Sequence, residues 1–235
     1  MDLKKEVARS VLPLIRDGMS LGIGDGNTMI HLAELISSLV REGKKLDIFS
    51  SSERTRSFFC ETGVTIHDIT EAETLDLYVD GCDQIDFDLQ VLKSGSGIHI
   101  MEKLFASMAT KFVVLAEETK MVSVFNPKIP LVLEVLPQAF RFVQKKMKDL
   151  FCDGISVPRK NIVTNQLQLT RNGNFLIDFY FPLWPPLELV QLHSKQIVGV
   201  VEISLFYLMA DEALVATANG VSCYRREGGK VLKLR

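Results

Sequence analysis

Metal and disulfide chemistry find little support in this chain. Cysteine is scarce: Cys60, Cys82, Cys152 and Cys223 lie far apart and form no CxxC pair, which argues against a disulfide framework or a structural zinc site. Histidine is as sparse. His31, His67, His99 and His193 show no HExxH or HxH spacing, so no metal and no other cofactor is expected. There is no surplus of one charge either. The 27 basic and 29 acidic residues leave a net charge of -2, which argues against a nucleic-acid partner. The one basic cluster, Arg141, Lys145, Lys146 and Lys148, reads as a solvated helix face. No apolar run reaches membrane-spanning length, and the longest candidate, Ile197 to Ala210, carries Glu202, so no membrane partner is expected. The opening MDLKKEVARS has no signal-peptide core and no long transit-peptide composition. A cytoplasmic location is the expectation, with a plastid one left open if a leader was removed.

What remains is ordinary globular composition, 47% hydrophobic and 24% charged over 235 residues. That suffices for one large domain, or one medium domain with a smaller lobe. Leu3 to Arg16 has helical periodicity, with Pro13 as a kink or break. Met19 to Ile23, the turn Gly24-Asp-Gly-Asn-Thr28 and an amphipathic stretch through Val40 form a strand, glycine turn and helix. Strands are expected at Leu46 to Ser50, Val64 to Ile66, Leu75 to Val79, Leu89 to Leu92 and Lys111 to Glu117. Helices are expected at Glu53 to Thr62 and from about Ile100, with Met101, Leu104, Phe105 and Met108 as the core-facing stripe.

This alternation predicts an α/β fold: a Rossmann-like, mostly parallel sheet with an inserted smaller α+β lobe. The boundaries are read as 1–127 and 204–235 for the main domain and 128–203 for the lobe. In the lobe we expect a strand at Leu131 to Val135, a helix near Gln138 to Phe151, and two strands around the Arg171-Asn-Gly-Asn174 turn. A second helix is expected between Pro186 and Gln196. The last stretch, Val200 to Arg235, reads as three strands separated by turns near Asp211-Glu212 and Ala218-Asn-Gly220.

Three of the strands run into polar or glycine-rich clusters. In a parallel sheet the carboxyl ends of the strands share one edge, where ligands bind. The Gly24–Thr28 loop suits a phosphate at a helix N-terminus. It suits equally an ordinary turn capped by Asp25, Asn27 or Thr28. Asp80 and Asp83 follow an apolar strand, within a run that also holds Asp86. They fit hydroxyl binding, or simply a solvated Asp-Gly turn. Lys93 and Glu102 are separated by a Ser-Gly-Ser-Gly loop. Glu102 lies off the apolar stripe, so it need not be buried. It reads as a dipole-favoured carboxylate in a first helical turn, or as a general base beside an ammonium. Lys120 follows the Lys111 to Glu117 strand onto the same edge.

Together these segments resemble the ribose-5-phosphate isomerase A family. The match rests on Leu21-Gly-Ile-Gly-Asp-Gly-Asn-Thr28, Leu77-Tyr-Val-Asp-Gly-Cys-Asp-Gln-Ile-Asp86, Leu92-Lys-Ser-Gly-Ser-Gly97 with Met101-Glu-Lys103, and Lys111 through Lys120. The resemblance implies an aldose–ketose isomerase that needs no metal, acts on a small sugar phosphate and forms a homodimer or homotetramer. It implies Glu102 as the base, Lys93 on the enediolate oxygens, and Asp80 and Asp83 on hydroxyls, with Asp80 aiding ring opening. Gly26, Asn27, Thr28, Lys120 and Lys4 would hold the phosphate. Asp25, Gly81, Cys82, Ser94, Gly95 and Ser96 would complete the substrate-lining set. The chain departs from the family pattern at Asp25, Asn27, Gln84, Ser94 and Ser96. Asp25 stands where a neutral hydroxyl residue is usual, which motivates an alternative: a sugar-phosphate-binding regulatory protein without turnover.

Overall fold

The computed structural model describes residues 2–234, so Met1 and the expected strand end at Arg235 lie outside the described residues. In chain order the elements are α1 (Leu3–Arg9), β1 (Met19–Ile23), α2 (Asn27–Arg41), β2 (Leu46–Ser50), α3 (Glu53–Glu61), β3 (Leu77–Gly81), β4 (Gln84–Asp86) and β5 (Val91–Leu92). Next come α4 (His99–Met108), β6 (Phe112–Glu117), β7 (Met121–Val122), β8 (Leu131–Val135), α5 (Phe140–Leu150), β9 (Ile155–Pro158) and β10 (Phe175–Tyr180). The chain closes with α6 (Leu187–Lys195), β11 (Val200–Ile203), β12 (Leu205–Phe206), β13 (Glu212–Thr217), β14 (Gly220–Glu227) and β15 (Lys230–Lys233). Among the described residues, no helix is long and apolar enough to cross a membrane.

Several elements differ from expectation, each for a local reason. The first helix ends at Arg9, and Pro13 opens a separate 3-10 turn, Leu12–Leu14, because proline supplies no N–H to continue a helix. Val64 to Ile66 forms no strand. The chain there meets β2 through one backbone bond, His67 N–H to Ile48 O at 2.8 Å. Before the Asn-Gly turn, Leu167 and Leu169 make only isolated bridges, so β10 takes β9 as its full partner on that side. At the C-terminus an additional turn at Gly228-Gly229, both at positive φ, adds the strand β15.

The chain divides into two compact units: Met1–Gln90, Met101–Val122 and Leu208–Arg235 in the first, Val91–Ile100 and Ser123–Tyr207 in the second. The first holds a seven-stranded sheet of order β15-β14-β13-β6-β3-β1-β2. From β2 through β13 the pairing is parallel, while β14 and β15 are antiparallel. The parallel strands are buried on both faces, as a layered α/β sheet requires. One face packs Leu21, Ile23, Val79, Val113 and Leu115 against Val7 and Val11 of the N-terminal segment and Met29, Leu32 and Ile36 of α2.

The other face is aromatic. Tyr78 stacks on Phe112 with ring centres 5.2 Å apart and tilts against Phe105 of α4 at 5.6 Å. Gly22 makes room for them: a Cβ there would lie 2.8 to 2.9 Å from Tyr78, Leu75 and Phe105. This contact sets the rotation of α4 and corrects the expected stripe. Leu104 is 43% exposed, whereas Glu102, Phe105 and Ala106 are buried. Residues i, i+3 and i+4 share a helix face, so seating Phe105 on Tyr78 carries Glu102 and Ala106 inward with it.

The second unit is an antiparallel sheet of order β11-β8-β10-β9 with α5 and α6, plus the pair β5–β12. Its centre holds a buried carboxylate. Glu134 of β8 accepts through Oε1 from Thr170 Oγ1 (2.9 Å), Asn174 Nδ2 (2.8 Å) and Asn172 Nδ2 (3.4 Å). The Asn-Gly-Asn turn is thereby tied to the sheet.

Candidate active site

The strand order places a topological switch point between β1 and β3. From β1 the chain crosses outward to β2 and then returns to the far side of β1 as β3. Ligands bind at such a point, beyond the carboxyl ends of the strands. Gly24, Asp25 and Asp80 occupy that place. Gly24 N–H donates to Val79 O at 2.9 Å, and Asp25 N–H donates to Asp80 Oδ1 at 3.2 Å.

Asp80 is fully buried. Its Oδ2 accepts from the Tyr78 hydroxyl at 2.5 Å and its Oδ1 from Gly81 N–H at 2.7 Å. Tyr78 and Asp80 are two apart on a strand, so they share one face. Burial first, then the Asp80 and Glu102 charges, raises the Tyr78 hydroxyl well above its ordinary pKa. Tyr78 is therefore a permanent donor at neutral pH. Glu102, whose charge contributes to that shift, is itself buried, although its place off the apolar stripe did not require it to be. Ser51 Oγ, at 3.0 Å from the Tyr78 hydroxyl, completes the group.

The Gly24–Thr28 loop resolves the choice of helix cap. The N-cap of α2 is Gly26, at φ 114° and ψ 172°, and no side chain caps the helix. That backbone conformation is reserved to glycine. None of Asp25, Asn27 and Thr28 takes the capping role. The Asp25 carboxylate accepts from Ser52 Oγ at 2.6 Å, and Asn27 Oδ1 accepts from Arg54 Nη2 at 2.7 Å. Ser52 in turn caps α3 through Thr55 N–H, and Thr55 Oγ1 donates to Gly24 O at 2.8 Å. The β1 and β2 ends are thus stitched together, and the first turn of α2 contains no acidic residue. Such an end favours an anion.

Lys120 lies just beyond β6, and its Nζ donates to Cys82 O at 2.5 Å. This brings it together with the Gly81–Asp83 turn, where Asp83 is half-buried. Lys4 reaches Glu117 at 3.7 Å, a partly exposed pair of little energetic weight.

Asp86 parts company with the other two aspartates of the run. Its Oδ1 accepts from Asp88 and Gln90 N–H at 2.9 and 2.8 Å, closing the turn after β4. Burial lifts its pKa to about 6. The folded chain then holds this proton more tightly than the unfolded one, so stability falls as pH rises from about 4 through 6 and stays lower above. Asp86→Asn keeps an oxygen for both N–H groups and deletes the charge. Thermal melts at pH 8 should show a gain of about 1–2 kcal/mol, discounted for partial exposure, or roughly 2–8 °C in Tm, and no gain near pH 4.

The remaining expected residues belong to the second unit. Lys93 is buried, and its backbone N–H donates to Ser204 O at 3.0 Å, extending the β5–β12 pair. Ser94 Oγ donates to Pro130 O at 2.5 Å. Gly95 and Ser96 form the exposed tip of the loop. Arg159, which the sequence reading did not single out, donates to the Ser94 and Gly95 carbonyls at 2.8 and 3.3 Å. Nothing in its sequence neighbourhood signals this contact.

Comparison with known proteins identifies the family. The family model described as ribose 5-phosphate isomerase A (phosphoriboisomerase A) matches residues 48–220. A ribose-5-phosphate isomerase A of Pyrococcus abyssi is 31% identical over 228 residues, covering 96% of this chain and 98% of that protein. Its counterpart in Bacillus mycoides is 30% identical, covering 95% and 100%. The solved ribose 5-phosphate isomerase A of Methanocaldococcus jannaschii superposes with a TM-score of 0.88 at 29% identity, covering 96% and 99%. A D-ribose-5-phosphate isomerase solved in complex with phospho-erythronic acid gives 0.89 at 28% identity, covering 96% and 98%. With a family model matched over residues 48–220 and relatives 30–31% identical along almost its whole length, this chain belongs to the ribose 5-phosphate isomerase A family.

Proposed function

We propose that the chain interconverts ribose 5-phosphate and ribulose 5-phosphate with Glu102 as the proton carrier. The observation that carries this reading is the buried Glu102 carboxylate, whose charge acts on Tyr78, the donor to Asp80 at the switch-point rim. Asp80, fixed by three donors, accepts from a sugar hydroxyl and assists ring opening, with Asp83 as a second hydroxyl ligand. Glu102 takes the C2 proton of the open-chain aldose. The C–H electron pair becomes the C1=C2 bond of an enediolate, and the carbonyl pair moves onto O1. The O2 hydroxyl proton passes to O1, the O2 electron pair forms the C2 carbonyl, and Glu102 returns its proton to C1. Every proton and electron pair thus stays within the substrate and Glu102, and no external oxidant or reductant is involved. Lys93 stabilises the enediolate charge. The uncapped α2 N-terminus at Gly26–Thr28, with Lys120, holds the phosphate. The phospho-erythronic acid bound in a solved relative supports a phosphorylated sugar as the ligand class.

A direct ketose-formation assay with ribose 5-phosphate tests the reading. Saturable turnover sustains it. Tight binding of ribose 5-phosphate without turnover would instead make the chain a sugar-phosphate sensor.

Asp25 tunes the affinity. Its carboxylate accepts from Ser52 Oγ. Asp25→Asn preserves an acceptor for Ser52 Oγ while deleting the charge. Two like charges ~6 Å apart at an effective dielectric of about 40–80 repel by roughly 0.7–1.4 kcal/mol. KM should therefore fall about three- to tenfold, and its dependence on ionic strength should weaken. An unchanged KM would mean that Ser52 already screens the carboxylate.

A further inference from the structure

We propose that Arg159 is a positioning residue for the isomerisation, acting through the Lys93–Gly97 loop. This rests on the reading that this loop serves the reaction.

Arg159 directly follows β9, and its backbone N–H donates to Leu176 O at 3.0 Å. Its guanidinium is largely buried and divided between two tasks. On one side Nε lies 2.9 and 3.1 Å from the Asp178 carboxylate oxygens, and Nη2 lies 2.6 Å from Oδ1. On the other side Nη2 and Nη1 donate to the Ser94 and Gly95 carbonyls. Asp178 sits on β10, opposite Val157 of β9, so a rigid sheet aims the fork. A planar guanidinium with fixed donors can hold a carboxylate and two carbonyls at once, which an ammonium cannot.

Peptide planarity gives this contact a chemical consequence. In a trans peptide the N–H points opposite to the preceding C=O. Drawing the Ser94 and Gly95 carbonyls toward Arg159 therefore turns the N–H groups of Gly95 and Ser96 away from it, side by side. Successive N–H groups held this way favour a developing negative charge. The loop is pinned at both ends as well. Lys93 and Ser94 are tied to Ser204 and Pro130. Gly97, at φ 72°, has no room for a Cβ, which would fall 2.6 Å from Leu176 and 3.2 Å from Arg159 Nη1. Arg159 thus sets the direction of the two peptides between Lys93 and Gly97.

The test measures kcat, KM and Tm for Arg159→Lys and Asp178→Asn. A loop that meets the enediolate more closely than the ground state should lose kcat, with KM changed less than about threefold. For Arg159→Lys we expect kcat to fall about tenfold to hundredfold, the scale of a misplaced catalytic group. Asp178→Asn, which keeps the Arg159–loop bonds but loosens the fork, should give a smaller loss. In Arg159→Ala, added guanidinium ion at non-denaturing concentration should restore part of kcat. A lower Tm with wild-type kcat in Arg159→Lys would make the residue merely structural and overturn the proposal. The underlying reading has its own check. If Lys93→Ala keeps wild-type turnover, the loop does not serve the reaction at all. Loss of turnover in Lys93→Ala with none in Arg159→Lys would sink the Arg159 inference alone.

Discussion

Glu102→Gln should lower kcat for ribose 5-phosphate by about 10³- to 10⁴-fold, near the upper end of what one positioned base supplies, while KM moves by less than about threefold. Glutamine has the same shape, so the seating of α4 through Phe105 on Tyr78 is preserved and the loss is chemical. Glu102 is only 1% exposed. Burying a carboxylate carries a desolvation cost that a surface position would avoid. A base for carbon acids gains from such a site, because water cannot compete for its proton. The discriminating measurement is exchange of the C2 hydrogen with solvent deuterium, followed alongside turnover. Both should collapse together. If the variant keeps more than a tenth of wild-type kcat, or loses only Tm, the carboxylate is a packing element and the base must be sought elsewhere.

How much of this could be seen in the sequence varies with the kind of signal. The strand–turn–helix at Met19–Arg41 was legible because a run of apolar residues, two glycines and a clean amphipathic repeat all agree there. The burial of Glu102 was not. Apolar spacing alone favoured Met101, Leu104, Phe105 and Met108, but one ring contact, Phe105 on Tyr78, fixed the rotation and exposed Leu104. Periodicity reports an average face and cannot weigh a single aromatic contact from another strand. Tyr78 falls inside the expected strand Leu75 to Val79, and it is fully buried. Its pairing with Asp80 was nonetheless available from the two-residue spacing on a strand. Arg159, by contrast, meets its partners across 64 and 65 residues of chain, and no local pattern encodes such a contact. The capping question at Asn27–Thr28 was settled by a backbone angle at Gly26, which composition leaves open.

Gly24→Ala should cost at least about a hundredfold in kcat/KM and roughly 2–4 kcal/mol of stability. The added Cβ would lie 2.0 Å from both Cγ and Oδ1 of Asp80 and 2.5 Å from Oδ2. Neither side can yield cheaply. Gly24 is held by its N–H to Val79 O and by its carbonyl to Thr55 Oγ1. Asp80 is fixed by Tyr78 Oη, Gly81 N–H and Asp25 N–H, so moving the carboxylate strips bonds from a fully buried charge. Gly81→Ala is the stability control: a Cβ there meets only Asp25 O, at 3.8 Å, and Tm should hold within about 2 °C. The stronger check is a double-mutant cycle with Asp80→Ala. If the clash is with the carboxylate, Gly24→Ala should cost little stability once Asp80 is truncated, giving a coupling of about 1–3 kcal/mol. Additive losses would mean that the methyl disturbs the β1 end itself, and that the close packing of Gly24 on Asp80 is not what holds this rim in shape.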